Sequence, residues 1–500
     1  MRYNFENILI FTVLCVGIGI RGIVSLNSYS GASNPPMFGD YEAQRHWQEI
    51  TYNLPADQWY LNTTDNDLLY WGIDYPPLTA YHSFLVGTIA NRINSSYVRL
   101  LQSRGFESVE HKSFMRFTVL VADLFIYIPA SVIVMISLKA YTSTENILTS
   151  LTILVLYPGQ ILIDNGHFQY NNISLGLFIL SVACILKDRH NWASFVFSLS
   201  LNYKHMELYH ALPFFVYLLK SSFSEKSLLK NIFNLIQIGL ITLATFLLLW
   251  IPWISSLNSL VATALRLFPF NRGVFEDKVA NVWCSLNAIY KFKENLRNDQ
   301  MALICLVATL LAILSTNLHL FFDLKKKTFL YTLVNTSLSF FLLSFQVHEK
   351  SILLAAIPIC FLFKMMPFAV LCFLKISTLS IFPLLIKDNL RIVYFCMIIA
   401  YFIIFRCLTQ LVYSKENKTH NILKMLMDIL DFIILTTSIA TLFIPAPDRF
   451  PYLWPFIISF FCCILFTLFL VASNLLQCNY FFKTFKYFKY LKRISTNYIF

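Results

Sequence analysis

SGASNPPMFGDYEAQRHWQEITYNLPADQWYLNTTDNDLLYWGIDYPPL, residues 30–78, follows directly on a first apolar run, Asn7 to Leu26. From Asn27 to Pro76 the chain carries seven acids (Asp40, Glu42, Glu49, Asp57, Asp65, Asp67 and Asp74) and one base, Arg45. Such a segment cannot lie in hydrocarbon. It is expected at a membrane surface or in a cavity, with the apolar runs as its support.

Those runs fill most of the remaining chain. The 500 residues are 57% hydrophobic and 13% charged, with a mean hydropathy of +0.61, whereas about 25% charged residues is usual in a soluble domain. At ~20 apolar residues per crossing, the pattern predicts an all-α polytopic membrane protein, one integral domain over residues 1–500 with about 14 spans. They are expected near 7–26, 114–137, 147–163, 172–187, 191–203, 207–220, 231–253, 301–322, 328–346, 351–364, 366–386, 391–412, 427–445 and 452–477. In the opening stretch Pro35-Pro36 stops any helix, and two short helices are expected at Tyr41–Tyr52 and Leu78–Ile93, with Trp59-Tyr60 and Tyr70-Trp71 as interfacial anchors.

The formal charge of +12 does not mark a nucleic-acid binder, because the bases are not gathered on a polar, foldable module. They follow membrane topology instead. The tail 478–500 carries Lys483, Lys486, Lys489, Lys492 and Arg493 without an acid, so it is expected on the cytosolic side, lying on lipid headgroups. The acidic first loop, 27–113, then faces the opposite side, the N-terminus is cytosolic, and the second large loop, 254–300, shares the face of the first. Eleven cysteines, mostly inside apolar runs, read as small hydrophobes and give neither a disulfide framework nor a metal site.

Candidates for chemistry begin with Asp40, which follows Gly39 at a helix start where a carboxylate can be held in fixed geometry, as a general base requires. The same residue can equally be only a helix cap. Asp74, before Pro76-Pro77, is the second candidate, with a turn aspartate as its plain alternative. Asp65-Asn66-Asp67 reads as a solvated turn rather than a metal pair. Further ionisable residues fall in or beside spans: Arg21, which can snorkel or meet a phosphate; Asp123; Asp164 and His167; Lys204, His205, Glu207 and His210; and His348, Glu349 and Lys350. Each must pair or line a polar cavity. Arg266, Arg272 and Lys278 supply cations for a phosphate in the second loop. Aromatic rings beside carboxylates suit a sugar, and cations near a bilayer suit a lipid phosphate, so the residues point to transfer from a lipid-linked sugar. A transporter of such a lipid, or a non-catalytic subunit, would carry many of the same features.

Five segments sharpen this reading: MFGDYEAQRHWQEIT (37–51), YWGIDYPPLTAYHS (70–83), DNGHFQYNN (164–172), FPFNRGVFEDKVANVWC (268–284) and FQVHEK (345–350). In this order and at these separations they closely resemble the dolichyl-phosphate-glucose-dependent α-1,3-glucosyltransferases of the endoplasmic reticulum. The resemblance runs to about Leu353 and carries no residues over beyond Ser380. It implies a GT-C glycosyltransferase fold with lumenal loop helices, and an enzyme that moves glucose from dolichyl phosphate glucose to a lipid-linked oligosaccharide. Within the family, Gly39–Trp47 and Phe275–Asn281 look like the members that add the first glucose to the nine-mannose glycan rather than the second. His205 is a departure, where members commonly carry glutamine.

The resemblance implies that Asp40 is the catalytic base and that Asp74 holds sugar hydroxyls or the acceptor. It adds Glu42, Arg45, His46, Trp47 and His167 as substrate-binding candidates. For the departing phosphate the choice falls on His348, then Lys350 and Arg272. No diphosphate is bridged in the displacement, so no metal and no other cofactor is expected. The implied location is the endoplasmic reticulum membrane with the active site facing the lumen.

Overall fold

The computed structural model describes residues 2–138, 144–268, 279–412 and 418–496. Among these residues seven helices are long and apolar enough to cross a bilayer: Asn7–Ser25, Val109–Leu138, Leu228–Ile254, Asn298–Phe322, Pro367–Lys387, Asn421–Phe443 and Leu453–Cys478. The chain is a helical, multi-pass membrane protein. Several other expected spans are shorter helices: Asn171–Leu186 has 16 residues, His190–Tyr203 has 14, Leu208–Ser222 has 15 and Ile352–Cys360 has 9.

Two boundaries differ from the hydropathy pattern for local reasons. The second span starts at Val109 rather than at 114, because the Ser108 hydroxyl caps it by accepting from the His111 amide at 3.0 Å. Glu110, His111 and Lys112 therefore extend the helix past the apolar run. The expected span at 147–163 is broken. Its helix, Thr144–Val155, ends ahead of Pro158, whose ring disfavours helical backbone in the residue before it. The chain then passes through Pro158–Ile161 into a widened helical turn at Leu162–Phe168.

The helices group into two compact units. The first comprises Met1–Leu208, Ile236–Arg272 and Ser377–Phe443. In it the acidic stretch folds into helices Asp40–Asn53 and Pro77–Ile93, which pack against each other. A largely aromatic core of Trp47, Ile50, Trp59, Tyr60, Ile73, Ala80, Trp253 and Leu267 fixes them. The second unit comprises Tyr209–Leu235, Gly273–Ile376 and Ile444–Phe500. Here Lys326–Leu343 packs on Asn298–Phe322 and on the long Leu453–Thr496 helix. Gln477 ties the three together, accepting from Thr316 Oγ1 at 2.6 Å and Asn335 Nδ2 at 2.7 Å, the polar pairing that holds helices together where no hydrophobic drive acts between them.

Arg21 neither snorkels nor faces outward. It is fully buried, its Nε 3.2 Å from Asp123 Oδ1 and its Nη2 donating to Gln160 Oε1 at 2.6 Å. Asp123 on the neighbouring span supplies a buried counter-charge, which removes the drive to reach the interface.

Candidate active site

Gly39 is the N-cap of the Asp40–Asn53 helix, and Asp40 is its first helical residue. The cap position falls to glycine because a Cβ there would lie 2.6 Å from Ser30 Oγ and 2.7 Å from the Ser30 carbonyl carbon and oxygen. Ser30 repays the close approach: its hydroxyl accepts from the Asp40 amide at 3.2 Å, and its own amide donates to the His167 carbonyl at 3.0 Å. The Asp40 side chain is thereby released from capping. Its Oδ2 lies 2.9 Å from His167 Nε2 and also accepts from the Gln169 side-chain amide. The His167 side chain is 2% exposed and that of Asp40 20%, so the carboxylate is gripped from the buried side and can still be reached.

The turn that brings up His167 and Gln169 is strongly determined. Between them Phe168 adopts φ +89°, a left-handed backbone that costs a non-glycine residue about 1–3 kcal/mol. Packing holds it there, with its ring centroid 4.9 Å from that of Tyr41 and 5.5 Å from the Arg116 guanidinium. Arg116 donates to the carbonyls of Gly166 at 2.7 Å and Ser28 at 2.8 Å. Asp164 closes the turn by accepting from the amides of Asn171 at 3.2 Å and Asn172 at 2.8 Å, and from the side chains of Asn171 at 2.7 Å and Gln160 at 3.0 Å. From Asn171 the network continues to Lys204 Nζ at 2.5 Å. Asp164, His167 and Lys204, noted along the chain, thus belong to the scaffold of one loop, with Asp164 and Lys204 set at its base.

On the helix itself, Glu42, Arg45, His46 and Trp47 are buried. Arg45 bonds both oxygens of Glu42 at 2.7 and 2.8 Å, Ser103 Oγ at 2.6 Å and Glu49 at 2.8 Å. Glu49 also accepts from the Leu101 amide at 2.7 Å and lies 3.3 Å from His46 Nδ1. Burial by itself would raise the Glu49 carboxyl; the hydrogen bond from His46 and the Arg45 charge outweigh it and bring its pKa down to about 2. The Tyr70 phenol is held above its usual range by burial and by Glu42, to which it donates at 2.9 Å. Trp47 donates to the Trp71 carbonyl at 2.9 Å and meets the Tyr75 ring edge-on at 5.1 Å.

Asp74 is partly buried beside Tyr75, in the segment that leads to Pro77–Ile93. Arg266 is not turned to a phosphate: it clasps the carbonyls of Leu68 at 3.2 Å, Gly72 at 2.7 Å and Ile73 at 3.1 Å. His348 and Lys350 belong to the second unit, partly buried at the turn into Ile352–Cys360. Arg272 and Lys278 lie outside the described residues. Three residues around Asp40 and His167 were not among the expected ones. Gln169 lies within the DNGHFQYNN motif, two residues from His167, and was legible there. Ser30 and Asp388 carry no local signal; Asp388 Oδ2 lies 2.5 Å from His167 Nδ1.

The described helices make a multi-pass membrane fold with a fixed, reachable carboxylate at the start of a loop helix. Residues 9–472 match the ALG6, ALG8 glycosyltransferase family, and the chain belongs to it. The match extends well past Leu353. The chain is 49% identical over 464 residues to a Drosophila melanogaster protein named "Probable dolichyl pyrophosphate Man9GlcNAc2 alpha-1,3-glucosyltransferase", covering 92% of this chain and 97% of that one. It is 43% identical over 492 residues to the Gallus gallus dolichyl pyrophosphate Man9GlcNAc2 alpha-1,3-glucosyltransferase, covering 94% and 96%. Against the Mus musculus protein of that name the identity is 44% over 488 residues, covering 93% and 95%.

Proposed function

We propose that this glycosyltransferase transfers glucose from dolichyl phosphate glucose to a terminal mannose of the lipid-linked Man9GlcNAc2 oligosaccharide, in an α-1,3 linkage. The observation that carries the reading is the Asp40 carboxylate, held by His167 and Gln169 with a fifth of its side chain exposed. The donor is β-linked and the product α-linked, so one displacement suffices. The mannose 3-hydroxyl gives its proton to Asp40 as its oxygen attacks the glucose C1; the C1–O bond breaks, and its electron pair leaves with dolichyl phosphate.

Asp74 holds sugar hydroxyls or the acceptor. His348, with Lys350 and Arg272, steadies the charge that develops on the phosphate. His167 serves Asp40 rather than the sugar, and the burial of Glu42, Arg45 and His46 favours a role in bracing the catalytic helix. Trp47 sets the Tyr75 ring beside Asp74. The reaction takes place at the lumenal face of the endoplasmic reticulum membrane, with both termini cytosolic, and needs no metal.

The relatives' names, which specify the Man9GlcNAc2 acceptor, favour addition of the first glucose over the second. Purified protein is expected to move glucose from synthetic dolichyl phosphate glucose to the nine-mannose acceptor, and Asp40→Asn to lower the rate at least about 100-fold, the scale of a lost general base. A variant as active as wild type moves the base elsewhere. Donor binding without transfer in either protein favours a lipid-linked-sugar transporter, which has no need of a fixed carboxylate.

A further inference from the structure

His167 is flanked by two carboxylates, one at each ring nitrogen. Nε2 lies 2.9 Å from Asp40 Oδ2, and Nδ1 lies 2.5 Å from Asp388 Oδ2. The side chains of His167 and Asp388 are 2% and 5% exposed, so water cannot stand in for either partner. A neutral imidazole carries a single N–H and can donate to only one of them. With both acids ionised the ring must carry both protons. Asp388 comes from a distant part of the chain, the residue that follows the Phe382–Lys387 helix, beyond the reach of every motif in the first half.

We propose that Asp388 is a positioning residue for the glycosyl transfer: it holds His167 doubly protonated and in one ring orientation, so that the Nε2–H fixes the Asp40 carboxylate for proton abstraction. The proposal rests on Asp40 as the base. It also resolves a conflict in that reading. An imidazolium beside Asp40 would by itself make the carboxylate a poorer base. Asp388 balances that charge, so the clamp is kept while the His167–Asp388 pair stays neutral overall. During the reaction the acceptor proton moves to Asp40, and His167 keeps both of its own.

The other charged and titratable groups packed here are few. Arg116, from the second span, donates to Gly166 O, and its charge couples to Asp388. Tyr41 and Tyr29 pack beside Phe168 and Arg116. Asp164, on the same turn as His167, is taken up by the amides of Asn171 and Asn172. Lys387 and Arg391, which flank Asp388, are exposed.

The test is steady-state glucosyl transfer by the purified full chain across pH, for wild type, Asp388→Asn, Asp388→Glu, His167→Gln and the Asp388→Asn/His167→Gln double variant. Asp388→Asn is expected to keep the donor KM and lose about 10- to 100-fold in kcat, the scale found when the outer partner of an oriented imidazole is removed. Its alkaline limb should also move to lower pH, since an imidazolium that loses a carboxylate neighbour gives up its proton more readily. The double variant should be no slower than His167→Gln alone.

Asp388→Glu keeps the charge and should keep the wild-type limb, which carries the test if the asparagine variant misfolds. An unchanged kcat and pH profile in Asp388→Asn, fully additive losses in the double variant, or a displaced limb in Asp388→Glu overturns the proposal. A wild-type protein that transfers no glucose overturns the reading of the reaction instead.

Discussion

Replacing Glu49 with glutamine tests whether the buried charges behind Asp40 hold the Asp40–Asn53 helix. Glu49 is fully buried and faces four donors: Arg45 Nη1 at 2.8 Å, the Leu101 amide at 2.7 Å, Ser103 Oγ at 2.9 Å and His46 Nδ1 at 3.3 Å. Its carboxyl lies at about 2 against an ordinary 4.5. That difference, at about 1.4 kcal/mol per unit, makes the ionised form worth about 3 kcal/mol to the folded state. Because the folded pKa is the lower one, the contribution is complete above pH 4.5 and is lost as pH falls through about 2. At neutral pH the whole of it is therefore at stake.

Glutamine keeps the shape, removes the charge and presents an amide to donors that need an acceptor. The local opening of Asp40–Asn53 should become easier by about 3 kcal/mol, or about 100-fold in amide protection. Hydrogen exchange read on peptides from residues 40–53 at neutral pH measures this directly. Peptides from Leu453–Cys478, in the other unit, serve as the internal control. Wild-type protection at 40–53 in Glu49→Gln would refute the reasoning.

The buried ion pair of the first span gives a second test. Arg21→Met leaves Asp123 buried without its counter-charge and should cost about 3–5 kcal/mol, read as a lower thermal midpoint in detergent, whereas Arg21→Met/Asp123→Leu should recover most of it; a single variant as stable as the double would count against the pairing. Gly39→Ala forces a Cβ against Ser30 and should lower kcat roughly 10- to 100-fold by displacing Asp40, with helix content by circular dichroism unchanged. Full activity in that variant would mean that the Ser30 contact does not set the base. Transfer should also persist in excess EDTA, and loss of activity rescued by a divalent ion would show that a metal takes part.

Several elements were legible without coordinates because each depends on local chemistry alone. Pro35-Pro36, the acids after it and the Pro76-Pro77 pair define the two loop helices within a residue or two, since proline and hydrophobic periodicity act at short range. Asp40 could be singled out by its place after Gly39. Its alternative as a cap could not be dismissed by eye, because only the approach of Ser30 shows that Gly39 takes that position. The family resemblance offered Arg45 and His46 as substrate-binding candidates, but a motif match does not show what covers a residue, and both are buried.

The sequence by itself determined that this chain is a multi-pass helical membrane protein with an acidic, aromatic loop, and it singled out Asp40 and DNGHFQYNN as candidates for its chemistry. Composition, periodicity and motif order are properties of the chain read along its length. The tertiary structure alone decided what those residues do to one another. It turned Arg21 onto Asp123 and Arg45 onto Glu49, and it brought Asp388 to His167 across 221 positions of sequence. In Lys387-Asp388-Asn389 an aspartate between apolar runs looks like any solvated turn. Its partner is fixed by how the helices pack, and no local preference encodes that.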